Sequence, residues 1–414
     1  MADPTHEPTP TAADDARRAK VRKGALLGAM FLMATSAVGP GFITQTTVFT
    51  AQLGAAFAFA IVISVLVDIA VQLNVWRVIG VSGMRAQDLA NRVVPGFGYV
   101  LAGLVVFGGL VFNIGNIGGT GLGANAMLGA DAKIGGAISA LIAIAIFISK
   151  RAGVAMDRIV VVLGLLLIGM VAYAAVATNP PYGEALRQTV LPDEINFLII
   201  TTLIGGTVGG YITYAGAHRI VDSGITGPES IKQITNGSVI GIIVTGVVRW
   251  LLFLAILGVV LGGVQLSGVA NPPATAFEAA LGEVGLRVFG VILWAASITS
   301  VIGASYTSVS FLTTFHDRIH QHRQWVVVAF IIVSGAIYVS LGQPPATLLI
   351  LAGALNGLIL PVGFGIIIWI ALRRADLLGG YTYPKWLAYL GLAIWLLTLY
   401  LGWQSLGGIA ELWQ

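Results

Sequence analysis

Very few residues in the apolar part of this chain can carry acid, base or metal chemistry. Asp68 and Arg249 are the main charged residues inside apolar segments, where a charge is expected to be either paired or functional. We keep two interpretations open for them: a structural ion pair with one another, or a role in moving ions. His218 and Arg219 lie near one end of an apolar segment, and we interpret them as ordinary positive residues flanking a membrane span.

The other candidate residues are neutral. Asn113 and Asn116 are one helical turn apart and share a face, which suits either solute contact or plain interhelical hydrogen bonding. The run SITSVIGASYTSVSFLTT contains Ser305, Thr307 and Ser308 and can place several hydroxyl groups on one helical face. Cysteine is absent from the chain, which excludes a disulfide framework, a thiolate metal site and a cysteine nucleophile. An enzyme needs clustered acids, bases or metal ligands, so we predict neither catalysis nor a cofactor.

The composition is that of an integral membrane protein. Of the 414 residues, 57% are hydrophobic and only 10% are charged, and the mean hydropathy is +0.91. A transmembrane helix needs roughly 20 apolar residues, which leaves room for about a dozen spans and for no sizeable soluble domain. The net charge of +4 is small and is explained by basic loops, so nucleic acid is not an expected partner.

Eleven apolar segments follow a polar tail, residues 1–23, that we predict to be disordered and cytosolic. Each segment is long and apolar enough to be a membrane span. In chain order they are Leu26–Leu53, Phe57–Ile79, Tyr99–Met127, Ile134–Ser149, Ile159–Ala177, Phe197–Ile220, Val239–Leu261, Val288–Leu312, Trp325–Leu341, Leu348–Leu372 and Leu387–Trp403.

Positive residues predict the orientation in the membrane. Only Lys133, Arg187 and Arg287 fall in the odd-numbered connections, and Arg249 falls within a segment; all other Lys and Arg residues lie in the tail or the even-numbered connections. Cationic loops are retained in the cytosol. The sequence therefore predicts a multi-pass protein of the cell (inner) membrane with a cytoplasmic N-terminus and an extracytoplasmic C-terminus.

Two of the segments contain helix-breaking residues near their middle. Segment 1 has Gly-Pro-Gly at residues 39–41, and segment 6 has GGTVGG at residues 205–210. Proline removes a backbone donor and glycine weakens a helix, while irregular backbone survives in a bilayer only where it lines a cavity or is buried in protein. The alternative is that these glycines serve close helix packing.

Breaks at corresponding places in two five-helix halves are typical of inverted-repeat transporters with a midplane site. We predict an all-α membrane protein of eleven transmembrane helices in an APC/LeuT-like five-plus-five inverted repeat, with helices 1 and 6 broken at the midplane. The repeats are residues 24–178 and 196–372, and residues 386–406 form the extra helix.

The first segment resembles helix 1 of the NRAMP family of divalent-metal transporters. That family reads LGP, then DPGN, then a GA pair, whereas this chain has Leu-Gly at 27–28, Gly-Pro-Gly-Phe at 39–42 and Gly-Ala at 54–55. The family's helix 6 motif GATVMPH aligns with GGTVGGY at 205–211. Its helix 3 segment D-L-A-E, a proton relay, aligns with Asn-Ile-Gly-Asn at 113–116. The resemblance covers almost all the transmembrane chain and implies the same fold.

The resemblance also implies that the metal ligands have been replaced. Gly39, Phe42, Gly209 and Tyr211 stand where the family has Asp, Asn, Met and His. A dehydrated divalent cation needs carboxylate, amide, carbonyl or thioether ligands, so we predict no metal site. The glycines should enlarge the cavity, and the half-helix N-termini after the breaks offer unpaired N–H groups that suit an anion.

We therefore expect a secondary active transporter of a small organic solute, an amino-acid-like carboxylate or amide. A pyroglutamate-like compound is the candidate implied by divergent members of the resembled family, although no residue specifies it. The predicted substrate-binding residues are Gly39, Gly41, Phe42, Thr44, Gln45, Thr46, Asn113, Asn116, Gly209, Gly210 and Tyr211.

Coupling to Na⁺ is expected because folds of this class often build a sodium site from segment 1 carbonyls and segment 8 hydroxyls. The candidate ion-coupling residues are Ala37, Val38, Ser305, Thr307, Ser308 and Asp68. Coupling to H⁺ is the alternative. The alternative for the substrate is a divalent metal cation, Mn²⁺ or Mg²⁺, as the resemblance alone would suggest.

Overall fold

The computed structural model describes residues 39–313 and 315–412, and all the regular structure in that part of the chain is helical. The prediction of an all-α protein is thus confirmed. The α-helices are α1 (Pro40–Leu53), α2 (Phe57–Ser82), α3 (Ala86–Val93), α4 (Phe97–Leu128), α5 (Ala132–Ile148), α6 (Lys150–Ala177), α7 (Tyr182–Val190), α8 (Phe197–Thr207), α9 (Ile212–Asp222), α10 (Ile231–Leu261), α11 (Pro272–Leu312), α12 (Asp317–Gln321), α13 (Arg323–Leu341), α14 (Pro345–Arg373) and α15 (Lys385–Glu411).

Nine stretches within the described residues are long and apolar enough to cross a membrane. The first of them, Pro40–Ser82, contains both α1 and α2, and α5 is a shorter apolar helix of 17 residues. When α1 and α2 are counted separately and α5 is added, the nine stretches correspond to the eleven predicted segments. The first half of segment 1 and the tail, residues 1–23, lie outside the described residues.

Helix boundaries depart from the hydropathy pattern where helices continue into polar sequence. α10 begins at Ile231 and α11 at Pro272, in each case well before the predicted segment. The added part of α11 carries charged residues, so its hydropathy is too low to mark a span, and it is bent at Gly282, where φ is +69°. The short helices α3, α7 and α12 were not predicted, because they are polar connections too short for a span.

Glycines bring neighbouring helices into backbone contact. A Cβ atom on Gly123 of α4 would overlap the backbone of Trp294 in α11, and one on Gly290 would overlap the backbone of Met127. A Cβ atom on Gly205 of α8 would likewise overlap the backbone of α14. Small residues serve this purpose in membrane helices, so the packing interpretation holds at these positions. The division into two repeats and the orientation in the membrane stay predictions.

Candidate functional site

The predicted break in segment 6 is confirmed as a buried turn, residues 208–211, between α8 and α9. The amides of Val208 and Gly209 both donate to the carbonyl of Ile204, at 2.9 and 3.2 Å, and so provide partners for a carbonyl near the end of α8. Gly210 then takes a φ of +52°, a left-handed conformation that favours glycine. The chain re-enters a helix immediately afterwards.

Helix α1 begins at Pro40, directly after Gly39 in an extended conformation with φ −91° and ψ −171°. Proline suits the first helical position, where its missing N–H would have no helical partner. All of residues 39–47 are buried, which places this helix start inside the protein. Ala37 and Val38, predicted to supply carbonyls to a cation, lie outside the described residues.

The glycines of the segment 6 break provide close approach, not open volume. A Cβ atom on Gly210 would overlap Oδ1 of Asn356 in α14, and one on Gly209 would lie 2.6 Å from the Cα of Gly205 and 2.8 Å from the carbonyl of Asn356. The expectation that these glycines enlarge a cavity is therefore wrong for this structure. Gly41 differs, because its Cβ would meet nothing closer than 3.7 Å.

Gln45 fills the space between α1, α8 and α14. Its Nε2 donates to the carbonyl of Leu349 at 3.2 Å. Glycines flank it on both sides, since a Cβ on Gly206 would come within 2.6 Å of Oε1 and one on Gly353 would overlap Nε2. Oε1 itself is buried and has no hydrogen-bond partner in the described part of the chain.

The threonines after the first break are only partly available as donors. Thr46 donates to the carbonyl of Phe42 at 2.7 Å, and Thr47 donates to that of Ile43 at 2.9 Å. Their protons are thus used within α1. The hydroxyl of Thr44 is buried and unpaired among the described residues, so it is the threonine that can still donate.

The two asparagines of α4 face different partners. Asn113 donates through Nδ2 to the hydroxyls of Ser305 and Ser334, each at 3.0 Å. Asn116 lies near the phenol of Tyr211, which packs edge-on against Phe112 with ring centroids 5.5 Å apart. Interhelical hydrogen bonding therefore accounts for Nδ2 of Asn113 but leaves its Oδ1 unpaired among the described residues, whereas Asn116 lies near Tyr211 beside the break.

Five neutral side chains around the break form what we call the central polar cluster: Gln45, Asn113, Asn116, Ser308 and Asn356. Each has a buried polar atom without a partner among the described residues, namely Oε1, Oδ1, Nδ2, Oγ and Oδ1 respectively. They come from α1, α4, α11 and α14. The structure thus places unpaired amide and hydroxyl groups around the break between α8 and α9 and near the start of α1.

Two charged residues, Asp68 and Arg249, lie near the end of α8. Asp68 of α2 accepts a 2.6 Å hydrogen bond from Thr207, the last residue of α8, while its Oδ1 is unpaired among the described residues. Arg249 lies with its guanidinium carbon 4.2 Å from the ring centroid of Phe42. Asp68 and Arg249 line one cavity of about 10 Å³ with Thr207. They attract one another but form no direct ion pair in the described structure.

The candidate ion-coupling hydroxyls of α11 are not gathered at one place. Ser305 donates to the carbonyl of Val301 at 2.7 Å and accepts from Asn113. Ser308 lies one turn further along, against Gly109 of α4. Thr307 instead lines a different cavity, which is also lined by His218. Only Ser305 and Ser308 therefore share the interface with α4.

His218 is not an ordinary flanking residue, which corrects the sequence interpretation. It is 3% exposed and packs between Tyr214 and Phe311, with ring centroids 5.8 and 4.9 Å away. Its Nε2 accepts a hydrogen bond from the amide of Ala86 at 3.3 Å. It also lines a cavity of about 420 Å³ between α9, α11 and the start of α13, which we call the α9–α13 pocket.

Sequence reasoning missed Asn356 and Thr207. Asn356 donates to the carbonyls of Gly108 and Ala352, at 3.0 and 2.8 Å, and so ties α14 to α4. The available signal was that it is the one polar side chain in its apolar segment. Thr207 gave no such signal, because only the fold brings it to Asp68. Within the described residues, no group of three or more His, Asp or Glu side chains is placed to hold a metal ion.

Two relatives are similar along nearly their whole length. The uncharacterized membrane protein YcsG of Bacillus subtilis is 50% identical over 390 residues, which is 94% of this chain and 96% of that protein. An uncharacterized membrane protein of Haemophilus influenzae is 50% identical over 370 residues, covering 89% of this chain and 92% of its own.

Solved structures share the fold at low sequence identity. The manganese transporter of Eremococcus coleocola, in complex with an aromatic bis-isothiourea substituted compound, superposes with a TM-score of 0.71 at 18% identity, covering 99% of this chain and 90% of that one. MhsT in complex with L-phenylalanine superposes with a TM-score of 0.68 at 16% identity, covering 92% and 98%.

The break between α8 and α9 and the shared arrangement of helices identify a LeuT-like membrane fold. The Nramp family model, natural resistance-associated macrophage protein-like, matches residues 30–407. The chain belongs to this family.

Proposed function

We propose that this protein is a secondary active transporter of a small organic solute that carries a carboxylate or amide group, working by alternating access. The observation that carries the proposal is the central polar cluster. Its unpaired atoms include amide oxygens on Gln45, Asn113 and Asn356, an amide nitrogen on Asn116 and a hydroxyl on Ser308. No carboxylate and no thioether belongs to it.

The energetics favour a hydrogen-bonding ligand at this place. A buried polar group without a partner costs about 1–3 kcal/mol, and several such groups together are tolerated when water or a solute completes their bonds. Acceptors and donors both occur in the cluster, which suits a solute that itself has an N–H and a carbonyl. Phe42 and Tyr211, both buried beside the breaks, can cover its apolar part.

Manganese is the alternative substrate, because a structural neighbour is a manganese transporter. Against it stand Gly39, Phe42, Gly209 and Tyr211, which supply no carboxylate, thioether or imidazole at the breaks. The fold alone does not decide between a metal ion and an organic solute as substrate, since MhsT shares the fold and was solved in complex with L-phenylalanine. Side-chain chemistry at the break therefore carries the choice, and it favours an organic solute, for which a pyroglutamate-like compound is our first candidate.

Coupling to Na⁺ is the second part of the proposal. Ser308 Oγ and Asn113 Oδ1 are buried and unpaired among the described residues, and both lie at the interface of α4 with α11. A hard cation accepts hydroxyl and amide oxygens as ligands. A substrate carboxylate next to the cation would strengthen its binding.

A proton is the second candidate for the coupling ion, and one observation favours it. Asp68 is a buried carboxylate bonded to the last residue of α8, directly before the break. Protonation of this group would change the charge next to Arg249, in a place where water is nearly excluded. Replacement of sodium by choline, at fixed pH, separates the two candidates.

The test is a thermal-shift screen of the purified protein with amino acids, small carboxylates and divalent metals, followed by uptake into proteoliposomes. We expect stabilisation by an organic carboxylate or amide that increases with sodium, and uptake of the same compound. By linkage, the solute should raise sodium affinity by the same factor. Stabilisation and uptake by Mn²⁺ alone would contradict the proposal.

The transporter is proposed to reside in the cell membrane with its N-terminus in the cytosol. The asymmetry of Lys and Arg among the connections supports this orientation. Under it, the α9–α13 pocket opens toward the cytosol.

A further inference from the structure

The α9–α13 pocket has an unusual charge for a cavity at the end of a membrane helix. Arg219 and Arg323 both line it, while its one acidic side chain, Asp222, is bonded to Arg85 at 2.7 Å. The pocket therefore has an excess of positive charge. At about 420 Å³ it is large enough for a small organic molecule.

Two groups in this pocket have donor atoms without partners among the described residues. Arg323 lies with its guanidinium carbon 3.9 Å from the ring centroid of Tyr306, and its Nε and Nη2 are buried and unpaired. His218 accepts through Nε2 from Ala86, so in its neutral form the proton is on Nδ1. That Nδ1 is also buried and unpaired.

The pocket lies toward the end of α9 that is farther from the break. His218 packs on Phe311 and Tyr214, and Tyr214 is one helical turn from Tyr211, whose phenol lies near Asn116 of the central polar cluster. Tyr214 thus lies along α9 between His218 and the break.

We propose that the α9–α13 pocket binds the carboxylate group of a small organic anion through Arg323 and His218. This inference rests on the proposed function, because it assigns the pocket to the solute's path on the predicted cytosolic side. A planar guanidinium held by an aromatic ring is suited to two hydrogen bonds with one carboxylate. The imidazole N–H supplies a neutral donor beside it.

Because the chain has no cysteine, a single introduced thiol can report on the pocket. Ser223 is exposed and lines the pocket, whereas Thr382 is an exposed residue in the loop before α15. In the full-length protein, Ser223→Cys and Thr382→Cys would each be labelled with an anionic and a cationic methanethiosulfonate reagent. The positive pocket should favour the anionic reagent at the thiol introduced at position 223 at least about threefold relative to the control thiol.

Arg323→Gln in the Ser223→Cys protein should reduce that preference, although Arg219 remains, and Arg323→Lys should keep it. The matched control is Arg318→Gln, which removes one exposed positive charge from neighbouring α12 and should change the ratio little. An equal ratio at the two thiols, or equal effects of the two glutamine variants, would overturn the proposal.

Protection from labelling identifies the ligand class. Acetate should slow labelling of the Ser223→Cys protein in a saturable way that depends on Arg323, and acetamide should not. Protection by inorganic phosphate without protection by acetate would assign the pocket to phosphate and overturn the carboxylate proposal. Labelling does not require transport, so loss of protection with intact solute uptake refutes this inference alone. Protection without uptake of any organic solute refutes the proposed function.

Discussion

The hydroxyl of Thr207 joins the end of α8 to the carboxylate of Asp68 by a bond of 2.6 Å, and the same oxygen lies 2.9 Å from the carbonyl of Leu203. One hydroxyl proton can serve only one of these acceptors. With Asp68 ionised, the proton points to the carboxylate; with Asp68 protonated, the acid can donate to Thr207, whose own proton turns to Leu203. The same positions of the heavy atoms therefore accommodate both protonation states.

The first prediction concerns this bond. Thr207→Val keeps the shape of the side chain but leaves the buried carboxylate of Asp68 without its hydrogen bond. We expect a loss of about 0.5–3 kcal/mol, from the range for a neutral hydrogen bond up to that for a bond to a charged group, seen as a lower melting temperature of the purified protein. Thr207→Ser retains the hydroxyl and is the control. Equal melting temperatures for the valine variant and the unmodified protein would show that the bond does not stabilise the fold.

The second prediction separates glycines that pack from those that do not. Gly210→Ala places a Cβ into Oδ1 of Asn356 and imposes a left-handed conformation on alanine. The conformation costs about 1–2 kcal/mol, and overpacking adds about 1–3 kcal/mol. Gly41→Ala, where ordinary contact distances are available, should keep the melting temperature. Equal melting temperatures for both variants would show that the turn at Gly210 is not closely packed against Asn356.

The third prediction compares the two asparagines of α4. Asn116→Leu removes a buried amide nitrogen that has no partner among the described residues, so stability should be unchanged or higher, while solute uptake should fall at least about tenfold. Asn113→Leu breaks two bonds to Ser305 and Ser334 and should lower the melting temperature as well. Full uptake by the Asn116 variant would remove this residue from the solute site.

The fourth prediction is that Mn²⁺ is not bound at micromolar concentration, as measured by calorimetry on the purified protein. Ligand type and number determine metal affinity, and Gly39, Phe42, Gly209 and Tyr211 provide no suitable side chains. Gly39→Asp alone should not create good binding, because the other ligands remain absent. Micromolar Mn²⁺ binding that is lost on substitution beside either break would contradict the organic-solute proposal.

Sequence alone was enough to predict the helical membrane fold and the break at residues 205–210, because long apolar runs and clustered glycines act locally. It could not predict what those glycines touch. Whether Gly209 borders a void or the carbonyl of Asn356 depends on the approach of α14, which is distant in sequence. For the same reason, His218 looked like a flanking positive residue, although the fold buries it between two aromatic rings.

The backbone contact between α8 and α14 limits how the transporter can change shape. Gly205 has no side chain, so its backbone lies directly against the backbone of Gly353 and Gly357. Helices packed this closely move together instead of deforming gradually. α8 and α14 should therefore travel together as one rigid body. We expect any change of angle between α8 and α9 to occur at the turn around Gly210, which would move His218 relative to α8 and α14.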